Sequence, residues 1–269
     1  MTLQLNDQLK EAAQALLEAE ETKKSLQPLT DNIQQLSVDE AYQIQMENID
    51  VKLAQGEKIV GKKIGLTSLA MQKALGVDQP DYGHLLSSMD VTMQKSAIPM
   101  DKLFEPKIEG EIAFVLKHDL RGPNVTEADV VAATDYIIPA LEIVDSRIEN
   151  WRIKLEDTIA DNASSAQFVL GEERYAVDSV KLKEMEMKLY KNNKLINKGY
   201  GADVLGNPIT CVAWLANKLS DYGVHLKAGE VILSGALSAA IPVEKGDSFK
   251  AEFSGLESVE VSFQKHSGA

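Results

Sequence analysis

Two glutamates one residue apart form the most chemically suggestive pair in this chain. Glu109 and Glu111 lie in the segment EGEIAFVL, whose apolar and β-branched residues predict a β-strand. Side chains two positions apart in a strand point to the same face, so these carboxylates project side by side, about 6–7 Å apart. Negative charges at that separation repel each other unless water or a cation lies between them. A solvated strand face and a cation site both satisfy this spacing.

A third carboxylate favours the cation site. Glu142 lies in the apolar segment IIPALEIV, where an isolated ionised carboxylate is costly and needs a partner. Three carboxylates without a nearby histidine or thiolate form the oxygen ligand set that Mg²⁺ or Mn²⁺ prefers. We therefore predict a divalent metal, Mg²⁺ or Mn²⁺, held by Glu109, Glu111 and Glu142.

Three further segments place polar groups among apolar or glycine-rich residues. Lys63 in GKKIGLTS is either a surface lysine whose alkyl chain lies along the core, or a positioned cation or proton carrier. Asp81 in DQPDYG is either an ordinary turn residue or a chemically active acid. Ser234 and Gly235 in LSGA offer backbone N–H groups that could bind a carboxylate, so both are candidate substrate-binding residues.

Several common catalytic arrangements are missing from the sequence. It contains no G-x-S-x-G, no Walker loop and no G-x-G-x-x-G after a strand, which argues against serine hydrolases, P-loop enzymes and Rossmann dehydrogenases. Cys211 is the only cysteine, and the four histidines show no metal-ligand spacing. An intrachain disulfide and a zinc site built on cysteine or histidine are therefore not expected.

The first 57 residues are predicted to form helices that position the rest of the chain. Apolar residues from Leu5 to Ala19 recur at three- and four-residue steps, which is typical of an amphipathic helix. Ser37 and Glu40 have the spacing of a capping box and predict a second helix start. We expect this region to pack on a core or on a neighbouring subunit.

Residues 58–269 are predicted to form a mixed, strand-rich core. Helices are expected over TEADVVAATDY from Thr126 and after Pro208, and a strand over residues 140–144. The segment MEMKLYKNNKLI predicts a β-hairpin with an asparagine turn. The fold class is therefore α+β, with the helical part and the core forming one structural unit.

The charge balance bounds the partners of the chain. Its 269 residues include 28 Lys and Arg against 41 Asp and Glu, a formal charge of −13. Because this field repels phosphate, nucleic acid and anionic membranes are not expected partners. A secretory signal and a membrane span are also not expected from the composition of the N-terminal segment and the length of the apolar runs. We expect a soluble, cytoplasmic protein.

Six segments resemble a known family. They are GKKIGLTS, GVDQPDYG, PKIEGEIAFVL, IPALEIVDSRI, DTIADNAS and GEVILSGAL. In this order and spacing they are similar to the 2-keto-4-pentenoate (2-hydroxypenta-2,4-dienoate) hydratases of the fumarylacetoacetate hydrolase superfamily. The resemblance runs from about Ala41 to the C-terminus. It implies a mixed β-roll core with a helical N-terminal part, and a homo-oligomer.

The resemblance also implies roles for individual residues. The three glutamates would hold the divalent metal, Mg²⁺ or Mn²⁺. Lys63 and Asp81 fall on the lysine and aspartate of the family blocks, where they would assist proton transfer. Ser164 falls on the serine of the DNAS block, near the substrate.

The function implied is metal-dependent hydration of 2-hydroxypenta-2,4-dienoate to 4-hydroxy-2-oxopentanoate in aromatic meta-cleavage catabolism. The partner would be a small anionic 2-hydroxydienoate or 2-oxo-enoate. The alternatives are a 2-oxo-3-hexenedioate (4-oxalocrotonate) decarboxylase, a 2-oxohept-3-enedioate hydratase, and a non-catalytic partner subunit. The resemblance further allows a complex with a pathway decarboxylase or hydratase.

Overall fold

The structure of the chain, a computed structural model, describes residues 6–94 and 97–264. Its helices are α1 (Asp7–Thr22), α2 (Leu29–Asn32), α3 (Val38–Ala54), α4 (Leu69–Leu75), α5 (Glu127–Ala133), α6 (Leu155–Ala160) and α7 (Pro208–Ser220). Its strands are β1 (Ile59–Gly65), β2 (Asp81–Leu86), β3 (Lys107–Leu116), β4 (Thr134–Val144), β5 (Ser165–Leu170), β6 (Glu186–Lys191), β7 (Lys194–Tyr200), β8 (Val231–Leu233), β9 (Ile241–Pro242), β10 (Ser248–Phe253) and β11 (Val259–Ser262).

The N-terminal helices begin where their capping residues predict. In α3, the Ser37 hydroxyl accepts a hydrogen bond from Glu40 N–H, and the Glu40 carboxylate accepts one from Ser37 N–H, which confirms the capping box. The apolar stripe of α1 from Leu9 to Ala19 is buried, while Leu5 lies outside the described residues. No helix within the described ranges is long and apolar enough to cross a membrane.

Two sheets build the core. The larger has the order β2-β1-β8-β3-β4-β5, with β9 also paired to β3, and the smaller has the order β11-β10-β6-β7. Strand β1 runs parallel to β8, whereas its other partner β2 is antiparallel. The larger sheet is therefore mixed, and the α+β prediction is confirmed.

The two faces of β3 contact different parts of the molecule. One face packs against the smaller sheet, and the apolar residues of that contact include Ile108, Ile112, Phe114, Met187 and Phe249. On the opposite face, Ala113 shares an apolar cluster with Ile49 of α3. Glu109 and Glu111 alternate in phase with Ala113, so both glutamates point towards the helical side of the sheet.

One predicted boundary was wrong. The helix expected over TEADVVAATDY ends at Ala133, because Thr134 already has extended backbone angles and begins β4. Tyr136 then pairs with Val115 of β3. The strand predicted for residues 140–144 is the second half of this longer strand. Pairing with a strand distant in sequence outweighed the local helical pattern.

The predicted hairpin and final helix are confirmed. Strands β6 and β7 pair around Asn192 and Asn193, whose φ angles of 52° and 64° suit the tight turn. Helix α7 begins at Pro208, and the Asn207 side chain accepts a hydrogen bond from Ile209 N–H.

Candidate active site

The antiparallel pairing of β3 and β4 brings the three predicted glutamates together. Glu109 lies directly opposite Glu142, and Glu111 lies two residues further along β3 on the same face. One carboxylate oxygen from each residue lies within 4.8 Å of the others. This spacing suits three oxygen ligands around one divalent cation.

The glutamate cluster is buried and incompletely paired. Glu111 and Glu142 are each 1% exposed, and Glu111 Oε1 and Glu142 Oε2 have no hydrogen-bond partner within the described residues. Burial, with repulsion from Glu142, raises the pKa of Glu109 to about 7. Burial and then the two neighbouring carboxylates raise the pKa of Glu111 well above its ordinary value. Because a divalent cation would offset this desolvation and repulsion, the donor set fits a metal ion.

Lys63 is the cation beside this cluster. It is 2% exposed, so the surface interpretation of this residue is wrong. Its Nζ lies 3.5 Å from Glu142 Oε1 and donates a hydrogen bond to the carbonyl oxygen of Ala163 at 2.8 Å. Burial alone would lower the pKa of Lys63, but Glu142 and Asp81 raise it above its ordinary value. Lys63 is therefore protonated at neutral pH.

Asp81 begins strand β2 opposite Gly65 of β1, and its carboxyl group is buried next to Lys63. The Thr158 hydroxyl donates a hydrogen bond to Asp81 Oδ2 at 2.9 Å. Burial raises the pKa of Asp81, and the attraction of Lys63 partly opposes this effect. Because the carboxyl group is buried against a lysine, Asp81 differs from an ordinary exposed turn residue.

A short left-handed turn carries the predicted substrate-binding serine. Asn162, Ala163 and Ser164 have φ angles of 52°, 50° and 53°. The Ser164 hydroxyl is buried and has no hydrogen-bond partner in the part of the chain that the structure describes. The next residue, Ser165, donates a hydrogen bond from its hydroxyl to Glu142 Oε1 at 3.0 Å. This turn therefore lies against both Lys63 and the glutamate cluster.

The predicted carboxylate-binding segment contacts a carboxylate of the protein itself. Gly235 N–H donates a hydrogen bond to Glu111 Oε2 at 2.8 Å. The Ser234 hydroxyl is fully buried and donates to the carbonyl oxygen of Ile112 at 2.7 Å. Both residues thus stabilise the strand and side chain that present Glu111.

A cavity of about 330 Å³ lies beside this cluster, between the N-terminal helices and β5. Ser165 is one of its lining residues and also donates its hydroxyl to Glu142. The charged side chains that line it are four cations, Lys23, Lys52, Lys102 and Arg147, and three carboxylates, Glu20, Asp145 and Asp161. Because Lys52 pairs with Glu20 and Arg147 pairs with Asp161, the positive and negative charges of the cavity nearly balance.

Sequence reasoning missed the residues that orient these side chains. Thr158 lies within the DTIADNAS segment and Ser165 follows it directly, so their proximity to Ser164 was the available signal. Gln45 of α3 donates to the carbonyl oxygens of Tyr82 and Ile159 but carried no signal, because it is one amide among several on a polar helix.

Comparison with known proteins decides the family. A model of the fumarylacetoacetate (FAA) hydrolase C-terminal matches residues 66–264. A 2-keto-4-pentenoate hydratase of Paraburkholderia xenovorans is 43% identical over 259 residues, 96% of either chain. The chain belongs to the 2-keto-4-pentenoate hydratase family of fumarylacetoacetate hydrolases. The sequence resemblance is confirmed, and so is the fold expected from it.

Other relatives of this hydratase-family member differ in their named activity. A 2-hydroxyhexa-2,4-dienoate hydratase of Comamonas testosteroni is 44% identical over 252 residues, covering 93% of this chain and 95% of the relative. The 4-oxalocrotonate decarboxylase of Pseudomonas putida G7, complexed with magnesium and adipate, superimposes with a TM-score of 0.92. That decarboxylase is 38% identical, and the match covers 96% of this chain and 97% of the decarboxylase.

Proposed function

We propose that this chain is a hydro-lyase that adds water to 2-hydroxypenta-2,4-dienoate and forms 4-hydroxy-2-oxopentanoate. The observation that carries this proposal is the buried three-glutamate cluster beside Lys63 and Asp81. Relatives that are 43% and 44% identical over more than nine tenths of the chain are named hydratases, which supports it. The substrate class is a small anionic 2-hydroxydienoate or 2-oxo-enoate.

We propose that Glu109, Glu111 and Glu142 hold Mg²⁺ or Mn²⁺. Support comes from the unpartnered, buried oxygens of Glu111 and Glu142 and from the magnesium and calcium complexes of the decarboxylase relative. When bound, such a cation supplies positive charge that stabilises the carboxylate and the 2-oxygen of a 2-oxo acid. Ser165 and Gly235 orient two of the ligands through their hydrogen bonds to Glu142 and Glu111.

Lys63 and Asp81 are proposed to move the protons of the reaction. The 2-hydroxyl loses a proton while C5 gains one, and then water adds its oxygen to C4 while C3 gains a proton. The Lys63 ammonium is held by the Ala163 carbonyl oxygen beside Glu142, where it would hold the substrate anion and take part in proton transfer. Asp81 suits proton exchange because its pKa is raised, while Thr158 fixes its orientation.

We propose that the substrate arrives through this cavity and contacts Ser164. Lys23 and Lys102, two of the cations that line it, would attract the substrate carboxylate. The Ser164 hydroxyl, which has no partner among the described side chains, would donate to the bound anion. Ser234 and Gly235 are proposed to act at the same place by keeping Glu111 in position beside the substrate.

A second candidate is decarboxylation of 2-oxo-3-hexenedioate. The decarboxylase relative, whose fold matches at a TM-score of 0.92, favours it. In that reaction the bond between C5 and the C6 carboxylate breaks and CO₂ leaves. The electron pair of that bond is delocalised through C3 and C4 to the 2-oxygen, which takes up a proton. The same cluster and the same proton carriers would serve this reaction.

Product analysis separates these two functions. The purified protein with Mg²⁺ or Mn²⁺ is given the five-carbon dienoate, its six- and seven-carbon relatives and the six-carbon 2-oxo diacid. We expect formation of 4-hydroxy-2-oxopentanoate from the five-carbon substrate and no CO₂ from the diacid. Release of CO₂ without hydration would contradict the hydratase proposal and support the decarboxylase.

We further propose that the protein is a homo-oligomer. Strand β7 lies at the edge of the smaller sheet and exposes Leu195, Ile196 and Tyr200, with exposed fractions of 45%, 38% and 48%. Exposed apolar side chains on an edge strand can form an association surface. Sedimentation velocity should show a species larger than one chain, and a monomer at micromolar concentration would contradict this.

A further inference from the structure

Three consecutive non-glycine residues in the left-handed region make the Asn162–Ser164 turn unusual. Their φ angles of 52°, 50° and 53° are disfavoured for L-residues, and such residues ordinarily occur singly. A turn of this kind persists only where its surroundings restrain it. The side chains that restrain it are therefore informative about what the turn does.

The Asn162 amide pairs with β2 as a neighbouring strand would. Asn162 Oδ1 accepts a hydrogen bond from His84 N–H at 2.8 Å, and Asn162 Nδ2 donates to His84 O at 2.9 Å. The preceding strand residue, Gly83, permits this approach, because a Cβ there would lie 2.6 Å from Asn162 O. Arg147 separately holds the end of the turn by donating to Ser165 O at 3.0 Å.

Gln45 fixes His84 from the helical side. Gln45 Nε2 donates to the carbonyl oxygens of Tyr82 and Ile159, at 3.0 and 2.6 Å, so its Oε1 is the remaining acceptor. His84 Nδ1 lies 2.9 Å from Gln45 Oε1 and must therefore carry a proton. Burial and the nearby Lys62 charge lower the pKa of His84 to about 3, so its ring is neutral.

The restrained turn presents its functional groups to the glutamate cluster. The Ala163 carbonyl accepts a hydrogen bond from Lys63 Nζ at 2.8 Å. The same ammonium lies 3.5 Å from Glu142, so a shift of the turn would move the cation relative to that carboxylate. The Ser164 hydroxyl follows directly in the turn.

We propose that Asn162, His84 and Gln45 are positioning residues, which hold the left-handed turn so that Ala163 O fixes the Lys63 ammonium and Ser164 faces the substrate. This inference rests on the proposed function insofar as Lys63 and Ser164 act on a dienoate. It adds that the N-terminal helical region, through Gln45, controls the geometry of the reaction.

Asn162→Asp tests the proposal, because it keeps the acceptor for His84 N–H and replaces the donor to His84 O with a second oxygen. Asn217→Asp is a matched control, since Asn217 forms the same two hydrogen bonds, at 2.8 and 2.9 Å, with Val125 in another part of the fold. We expect Asn162→Asp to lower kcat about 10- to 100-fold with a smaller change in KM. Asn217→Asp should leave kcat unchanged.

A second measurement uses the protein without metal or substrate. Lysine amines are labelled with an acylating reagent, and fragment mass spectrometry gives the labelling rate at each lysine. Lys62 is the reference for Lys63, because both are 2% exposed and Lys62 pairs with Glu230 instead of the glutamate cluster. The ratio of the Lys63 rate to the Lys62 rate should rise several-fold in Asn162→Asp and stay unchanged in Asn217→Asp.

If Asn162→Asp fails to fold, Gln45→Glu makes the same test. It keeps the acceptor for His84 and loses the donors to two carbonyl oxygens. Wild-type kcat together with an unchanged labelling ratio in a folded variant would overturn the positioning proposal. If the wild-type protein does not hydrate the dienoate, the proposed function fails, while the labelling ratio still decides the positioning.

Discussion

At the scale of single residues, Glu142 shows how the site is assembled. Its position opposite Glu109 comes from strand register, its orientation from the Ser165 hydroxyl, and its charge balance from Lys63 at 3.5 Å. Each contact comes from a different segment of the chain. Removal of any one would leave a buried carboxylate with fewer partners, which is costly in an apolar setting.

Asp81→Asn separates a chemical role of the carboxylate from a structural one. Asn keeps the size of the side chain and can still accept the hydrogen bond from the Thr158 hydroxyl, so the variant should fold. If Asp81 exchanges protons, turnover should fall about 10²- to 10⁴-fold, while metal affinity changes little. Asp78→Asn, three residues before Asp81 and exposed, is the control and should keep its activity. Near-wild-type turnover of Asp81→Asn would remove Asp81 from the mechanism.

At the scale of elements, the β1–β2 pair leaves room for Lys63 and Asp81, the two proposed proton carriers. Gly65 faces Asp81 in the ladder, and a Cβ at Gly65 would overlap Asp81 Oδ1 and lie 3.1 Å from Lys63 Nζ. The absence of a side chain at this position therefore gives the carboxyl group and the ammonium room on the same face of the strand pair.

Gly65→Ala should displace Asp81 and destabilise the fold by about 1–3 kcal/mol, the usual cost of overpacking. Thermal unfolding of a double-mutant cycle with Asp81→Ala checks the cause. The destabilisation should shrink when Asp81 is truncated, because the overlapping atom is gone. An equal destabilisation in both backgrounds would show that Asp81 does not limit the space at Gly65.

Local signals explain which elements could be predicted from the sequence. The β6–β7 hairpin, the Ser37 capping box and the start of α7 at Pro208 each depend on residues close together in the chain. The start of β4 at Thr134 could not be predicted, because it depends on pairing with β3. Contacts such as Gln45 with His84 join segments 39 positions apart, and amides are too common for this partner to be predicted.

The glutamate cluster could also be predicted from local features of the sequence. Two of its members lie in one strand, where the alternation of side chains sets their common face, and the third lies in a conspicuously apolar segment. The contacts of Lys63 could not be predicted from the sequence, because the Ala163 carbonyl oxygen accepts the Lys63 hydrogen bond from a left-handed turn. Sequence alone left the surface and buried interpretations of this lysine open.

At the scale of the whole molecule, we propose that residues 1–57 and 58–269 form one structural unit. Thr30 donates from its N–H and its hydroxyl to the Asp157 carboxylate, at 3.0 and 2.8 Å, and Gln45 joins α3 to β2 and α6. Circular dichroism and tryptophan fluorescence should therefore report one coincident unfolding transition. Two separated transitions would show that the helical region unfolds independently.

In the metal-free protein, the free energy of unfolding should depend on pH because the pKa of Glu109 differs between the folded and unfolded states. Burial raises the pKa of Glu109 from 4.5 to about 7, so the folded state binds more protons than the unfolded state between these values. The free energy of unfolding should therefore fall as pH rises through this interval in the presence of chelator. Glu109→Gln should flatten the fall in denaturant titrations. If the free energy of unfolding changed with pH as little in the wild-type protein as in the variant, the raised pKa of Glu109 would be contradicted.

The most direct test of the central claim measures hydration of 2-hydroxypenta-2,4-dienoate before and after removal of divalent metal. We expect chelation to abolish formation of 4-hydroxy-2-oxopentanoate, and Mg²⁺ or Mn²⁺ to restore it at one ion per chain. Glu111→Gln should need a much higher metal concentration, because an amide is a weaker ligand than a carboxylate for a hard cation. Full hydration activity after exhaustive chelation would contradict the metal-dependent mechanism at the three-glutamate cluster.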